Sequence, residues 1–542
     1  MRAFLLLFPF LALAQPAERF AELDAILTRA QSTLNTPLTL VLTQHGETIY
    51  NKSFGGGSAT TTTAIGSGSK WLSGAVLLRL VDRGIVGLDD LLALHIPSFG
   101  GDKAAITLRH AFSHTSGLPG EIAFNSETPC LNDRMTTLAA CADEIAGVSL
   151  ANPPGTAFAY GGLSMQAAGR AMEIASGLRF VDLFQRELVR PLGLSGTIAA
   201  LPGAANNPLV AGGFASTATD YTRFLQMLLA GGAWEGQRYL SPRAVQAMLA
   251  DQTNGARIVS TPYSRYESLV PGIGSTRYGI GNWLERVQGG VEGAAVLESS
   301  SQGGFGFSPW IDYDRNLTGV LMVRDSLPNV APFYFELKRA IARLVPLSPL
   351  SPRGIANAAS YASGAVAAGE WVVLFGNFAG AGEATRVLVE GFAAPLLYAL
   401  PGQIAARIPP AVAGRASVDI TVEIAPGNRT PPVRMAVESA WPGLFSVALN
   451  QDGTLNSPSN PAVAGSVVVL YGTGLGQGPT AATVGGFRAE EILYADAAPG
   501  APEGFFQINL RLPHALPAGQ ATVIVESGGI PSAANLTLHV RR

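Results

Sequence analysis

From Glu18 to Leu34 the apolar residues recur at intervals of three and four, the pattern of a helix that buries one face. Two β-type runs follow, Leu38–Thr43 and Thr48–Phe54, and the polar Gln44-His45-Gly46-Glu47 between them predicts a hairpin. From about residue 67 to 250 the pattern is helical, punctuated by Gly and Pro. Strand-like runs return at Tyr278–Leu284, Ala294–Ser299, Gly306–Ile311 and Leu317–Val323, and a helix over about Pro332–Val345 closes the section. Strands at both ends with helices between them predict an α+β domain. Its single antiparallel sheet draws on both ends of the section, is flanked by helices and carries a helical subdomain.

Beyond the Pro/Ser segment Pro346–Arg353 the helix period disappears, and short β-type runs alternate with Gly, Pro and Asn. This tail repeats itself. Ala368-Gly369 followed by Val-Val-Leu-Phe375-Gly376 recurs as Ala464-Gly465 followed by Val-Val-Leu-Tyr471-Gly472, an offset of 96 residues. Tyr398 recurs as Tyr494, and Gln403-Ile404 as Gln507-Ile508. Two such units suit a pair of all-β, immunoglobulin-like sandwiches. The expected division is a leader at 1–14, the α+β domain at 15–346, a linker at 347–353, and repeats at 354–440 and 441–542.

The leader rests on Arg2, the apolar run Ala3–Leu11 and the small-x-small site Ala12-Leu13-Ala14; the other reading of this run is a buried first helix. No later segment offers about 18 uninterrupted apolar residues, so no membrane span is expected in the mature chain. Of the residues, 47% are hydrophobic and 14% charged, which places the chain among well-cored folded proteins. The net charge of −3, without a basic run, removes nucleic acid from the expected partners. Cys130 and Cys141 could close a small loop in an oxidising compartment or remain two buried thiols. The six histidines do not pair with Cys or acids at ligand spacing, so neither a metal nor another cofactor is expected.

The chemistry concentrates at Ser67-Gly68-Ser69-Lys70, which opens a helix with apolar positions at Trp71, Leu72, Ala75, Val76, Leu78 and Leu80. Residues three apart share a helix face, so the Lys70 amine can reach the Ser67 hydroxyl. A serine needs a base to become nucleophilic, and a desolvated lysine with a lowered pKa can serve. The chain has four lysines, Lys52, Lys70, Lys103 and Lys338, and Lys70 alone has a serine three residues before it. Arginine, which carries most of the positive charge, cannot be deprotonated in a protein. The competing reading is a surface lysine beside an N-capping serine.

The text around this pair carries a resemblance. Ile65-Gly-Ser-Gly-Ser-Lys70, Leu80-Val-Asp-Arg-Gly84, Ile106-Thr-Leu-Arg-His-Ala-Phe-Ser-His-Thr-Ser-Gly-Leu-Pro119, Pro154-Gly-Thr-Ala-Phe-Ala-Tyr-Gly-Gly162 and Ala211-Gly-Gly-Phe-Ala-Ser-Thr-Ala-Thr-Asp-Tyr221 occur in order. Over about residues 20–346 the chain resembles the β-lactamase superfamily of serine hydrolases. Within it, the class C enzymes, family VIII carboxylesterases and D-amino-acid peptidases are the most similar. The resemblance implies an acyl-serine mechanism with Ser67 as nucleophile, Lys70 as base and Tyr160 as the proton-shuttling tyrosine, drawn there as a phenolate beside a cationic lysine. It gives His110 and His114 a packing role. The tail is similar to a repeated β-domain of secreted bacterial proteins, through Trp441-Pro-Gly-Leu-Phe445 and Tyr471-Gly-Thr-Gly-Leu-Gly476.

Two positions depart from the family. Gly162 replaces the Asn of Tyr-x-Asn, and Gln302-Gly303-Gly304-Phe305 stands where Lys-Thr-Gly or His-x-Gly is usual. A neutral Gln302 can hydrogen-bond a substrate carboxylate but not pair with it. Gly303 and Gly304 would let the strand backbone approach the substrate, with the Phe305 N–H as second oxyanion donor beside that of Ser67. The expectation is an exported, secreted or periplasmic carboxylesterase acting on a small-molecule ester or amide. The alternatives are a β-lactamase or D-amino-acid peptidase and, in a different class, a non-catalytic surface protein. The C-terminal repeats are expected to contact a cell surface or polysaccharide.

Overall fold

Seven antiparallel strands form the sheet on which the first domain is built: β1 (Leu38–Gln44), β2 (Glu47–Phe54), β3 (Arg277–Tyr278), β4 (Trp283–Gln288), β5 (Ala295–Ser300), β6 (Ser308–Asp312) and β7 (Leu317–Val323). Their spatial order is β2-β1-β7-β6-β5-β4-β3, so the sheet joins the two ends of the domain through the β1–β7 pair. The computed structural model describes residues 19–120, 128–288 and 295–542; the leader expected at 1–14 lies outside them.

The central strands β1 and β7 are buried on both faces, which explains their near-continuous apolar text. Leu38, Leu40 and Leu42 share a core with helix α1 (Ala21–Leu34) and the closing helix α6 (Leu327–Leu344), whereas Val41 belongs to the core on the other face. That second face is covered by helices, among them α2 (Gly68–Asp82), α3 (Leu163–Ser176), α4 (Ala218–Leu229) and α5 (Pro242–Leu249).

Two elements differ from their expected bounds. Helix α6 starts earlier, at Leu327, with Pro328 in its first turn, where the missing N–H costs nothing, and it carries Pro332 in its interior. The run expected as one strand over Tyr278–Leu284 breaks between β3 and β4. A Cβ on Gly279 would come within 2.1 Å of the Met248 carbonyl oxygen, and one on Gly281 within 2.2 Å of that of Lys70. This stretch is a close approach of two backbones, which only glycine permits.

The tail contains two units of matching topology. In the first, strands 350–357, 371–376, 403–407 and 396–400 form one sheet, in that order, which shares a core with a six-stranded sheet. The second repeats this arrangement from Gly443 to Arg541. The opening strand begins at Leu350, inside the segment expected as a linker. The Pro/Ser segment is thereby drawn into the sheet, and the Arg353 guanidinium lies 3.8 Å from the Tyr313 ring centre. Arg238 adds a bond to the Ala416 carbonyl at 2.8 Å and pairs with Glu438 at 3.4 Å. The repeats meet where Trp371 stacks on Phe505, with ring centres 5.7 Å apart.

Cys130 and Cys141 form a disulfide that ties the turn Pro129–Leu131 to the helix Leu138–Ala146. A cross-link closing so short a loop stabilises mainly by restricting the unfolded chain. Cys141→Ser is therefore expected to lower stability by about 2–3 kcal/mol, read as an earlier urea midpoint with an intact active site. An unchanged midpoint would count against it.

Candidate active site

Helix α2 is buried almost all round, with Trp71, Ala75, Val76 and Leu77 fully enclosed, as expected of a central helix and not of a surface one. Ser67 stands just before its first turn, and its side chain makes no capping bond. Neighbouring elements fix this end of the helix. The Tyr221 hydroxyl donates to the Gly68 carbonyl at 2.7 Å, and Ser301 Oγ donates to that of Ser67 at 3.0 Å. Ser69 Oγ donates to the Gly66 carbonyl at 2.6 Å and accepts from Phe214 N at 3.1 Å.

Lys70 is only 2% exposed, and its Nζ lies 3.2 Å from Ser67 Oγ and 2.8 Å from the Ala211 carbonyl oxygen. Burial disfavours the charged ammonium and lowers its pKa to about 7. The Tyr160 ring lies 4.7 Å from the same nitrogen. Burial pushes the Tyr160 phenol well above its usual range, and its hydrogen bond to Ser67 opposes this only in part. Tyr160 is therefore a neutral phenol at ordinary pH, not the phenolate drawn from the resemblance. The group here that loses its proton near neutrality is the amine.

The altered motif positions are placed as follows. Gly162 precedes α3 and offers no side chain to the site. Gln302 is buried, and both ends of its amide are engaged. Nε2 donates to Glu285 Oε1 at 2.9 Å and to the Tyr334 hydroxyl at 3.1 Å, while Oε1 lies beside the Tyr263 hydroxyl, whose one proton goes to Glu285. Gln302 thus lines the cavity, as a residue expected to bind substrate, while both Nε2 protons are directed into a buried network. Gly303 is pressed against α2's approach, where a Cβ would come within 2.1 Å of the Ile65 carbonyl oxygen. Ser301 N and Gly303 N bond to the carbonyls of Pro309 and Phe307, and Gly304 opens the turn that Gly306 N closes on the Gly303 carbonyl at 2.9 Å. A Cβ on Gly66 would come within 3.0 Å of Gly304 N. Among the described residues, neither Ser67 N–H nor Gly304 N–H has a protein acceptor. The Phe305 carbonyl accepts from Asp325 N at 3.0 Å.

Ser67, Lys70, Tyr160, Gln302, Gly304 and Phe305 line one cavity of about 500 Å³. Its remaining walls include Leu209, Tyr266, Trp283 and Leu327, so most of the enclosed surface is apolar. His110 closes a capping box with Thr107. His114 is buried with its ring 4.7 Å from that of Tyr160, and burial with the nearby Lys70 holds it well below its usual pKa. Among the described residues no group of three or more His, Cys, Asp or Glu could hold a metal ion. The Ala211 carbonyl was missed in the sequence, since a backbone acceptor leaves no residue signal. Trp283, Tyr263 and Glu285 were missed as well, because each reads there as an ordinary core or turn residue.

Residues 36–342 match the sequence pattern of the β-lactamase family. Penicillin-binding protein 4 of Amycolatopsis lactamdurans is 29% identical over 313 residues, covering 49% of this chain and 80% of that protein. Protein flp of Staphylococcus aureus is 23% identical over 171 residues, covering 29% of this chain and 34% of its own, so the chain spans about a third of that relative's length. Among solved structures, a putative β-lactamase from Bacteroides dorei is similar with a TM-score of 0.53 at 28% identity, covering 60% of this chain and 98% of that one.

The close packing behind Lys70 is open to test. Gly281 has φ +84° besides its approach to the Lys70 carbonyl. Gly281→Ala is expected to lower folding stability by about 2 kcal/mol or more, measured by denaturant unfolding. A loss below about 0.5 kcal/mol would contradict the contact.

Proposed function

Because the chain belongs to the β-lactamase family of serine hydrolases, we propose that it is a carboxylesterase acting on small or medium acyl esters through an acyl-Ser67 intermediate. The observation that carries this reading is the enclosed Lys70 amine 3.2 Å from the Ser67 hydroxyl. With a pKa of about 7, a large share of the amine is unprotonated at neutral pH and can take the serine proton. Ser67 Oγ then bonds to the ester carbonyl carbon. The Ser67 and Gly304 N–H groups are assigned as donors to the developing oxyanion, with Gly304 in the place expected for Phe305. As the bond to the alkoxy oxygen breaks, the Tyr160 phenol gives its proton to the leaving group and is reprotonated from Lys70. Water attacks the acyl-serine in the second half: Lys70 takes a proton from it, and as the bond from the acyl carbon to Ser67 Oγ breaks, Lys70 returns that proton to Oγ.

The preference for esters follows from what faces the cavity. Gly162 supplies no amide for a peptide or β-lactam substrate, the Gln302 amide is occupied, and the walls suit an apolar acyl group. The identity shared with a protein named penicillin-binding protein 4 favours, as a second reading, activity on β-lactams or D-amino-acid peptides. The Cys130–Cys141 disulfide supports export to an oxidising compartment. The two all-β units, expected as immunoglobulin-like, would act there as spacers or as contacts with a cell surface or polysaccharide.

Hydrolysis of a short-chain nitrophenyl ester is expected to fall by at least about a thousandfold in Ser67→Ala and in Lys70→Ala, with stoichiometric fluorophosphonate labelling of the parent. An unchanged rate in Ser67→Ala would overturn the proposal, faster turnover of a β-lactam would favour the second reading, and failure to label would favour a binding protein. The pH profile supplies a second check. Lys70 acts unprotonated, so kcat/KM should fall about tenfold per unit below pH 7 and level off above it. The raised Tyr160 pKa predicts no descending limb before about pH 9. A profile flat from pH 5 to 8 would remove Lys70 as the base.

A further inference from the structure

Tyr160 is one of three rings in a stack. Its ring lies over Trp283 with centres 5.0 Å apart and planes 23° from parallel, and Trp283 lies over Tyr263 at 4.3 Å and 25°. On another side His114 leans on Tyr160 with ring centres 4.7 Å apart, and Tyr278 meets Trp283 edge-on at 4.8 Å. The far end of the stack is tethered. The Tyr263 hydroxyl donates to Glu285 Oε1 at 2.5 Å, and the buried Glu285 carboxylate also accepts from Ser300 and Gln302. Glu285 stands two residues after Trp283 on β4, so both project from one face of that strand. The backbone makes a second link, from Tyr160 N to the Ser260 carbonyl at 3.0 Å, just before the turn Pro262–Tyr266 that carries Tyr263.

We infer that Trp283 and Tyr263 are positioning residues, which hold the Tyr160 phenol where it can protonate the leaving group. The inference rests on the reading of Tyr160 as proton donor and adds what keeps it in line. In the resting site, before Lys70 has taken the serine proton, no charge attracts the phenol. Ring orientation must then come from packing, and the stack supplies it. This also gives the Gln at position 302 a use: it completes the anchor on Glu285 that fixes the last ring.

The test compares two esters of the same acid in the full-length chain. A nitrophenolate leaves without a proton, whereas an alkoxide needs one, so misplacing Tyr160 should harm the alkyl ester more. In Tyr263→Phe, which keeps the ring and breaks the tether, kcat/KM for the ethyl ester should fall about tenfold further than for the nitrophenyl ester. Trp283→Leu should enlarge that gap, and Trp283→Phe, which restores a stacking ring, should close most of it. Equal losses on both esters, or none, would overturn the inference, because purely structural damage lowers both alike. Ser67→Ala separates the two levels: if it is inactive while the ester ratio stays fixed in the other variants, the hydrolase reading stands and the positioning role falls. Should Trp283→Leu fail to fold, the Tyr263→Phe ratio decides.

Discussion

An amine kept out of water beside an alcohol is the constraint around which this domain is organised. Burying a lysine is unfavourable unless the charge is shed or paired, and among the described residues no carboxylate pairs with Lys70. The fold instead surrounds it with a helix enclosed on nearly every side, a backbone carbonyl and an aromatic face. Burial is what favours the neutral amine; the carbonyl and the ring face would by themselves steady the charged form. The same packing that would be a liability in a structural lysine therefore suits the amine to the base role proposed for it, and the nearby phenol, pushed the opposite way, to that of proton donor.

The two departures from the family pattern have different consequences. Gly162 simply withdraws a side chain, leaving the Ala211 carbonyl as the polar partner of Lys70 besides Ser67. Gln302 changes sides. Its amide belongs to a buried network with Glu285, Tyr263 and Tyr334, while the glycines after it let the backbone press against the start of α2. The cavity wall carries Arg265, Arg324 and Asp325, but most of it is apolar and aromatic, which fits a substrate held mainly by its apolar part.

Much of this was legible in the sequence, for identifiable reasons. The Ser67–Lys70 spacing is local geometry, and the scarcity of lysine made the pair stand out. The sheet built from two distant segments followed from where strand-like text begins and resumes. Less legible were features that depend on side-chain direction or backbone proximity. The destination of the Gln302 amide is set by Glu285, seventeen positions away on the neighbouring strand. The break at Gly279–Gly281 reflects pressure from α2 and from Met248, which no local pattern encodes. The early start of the tail's first strand at Leu350 shows the limit of reading Pro and Ser as linker, because a strand at the edge of its sheet tolerates both.

The sheet's connectivity also bears on how the chain acquires its structure. Thr43 on β1 and Thr318 on β7 share a hydrogen bond across 275 positions of sequence, and the whole helical subdomain lies between them. The central pair cannot close until all of that intervening polypeptide has emerged from the ribosome, and loop closure over such a distance is slow relative to helix formation. Helix α2 can form early, but Trp283 and the Gln302–Phe305 stretch, which close the cavity beside its lysine, belong to the segment made after the helical subdomain. Chemical competence is thus acquired at the end of maturation, after the strands on either side of the gap have found each other.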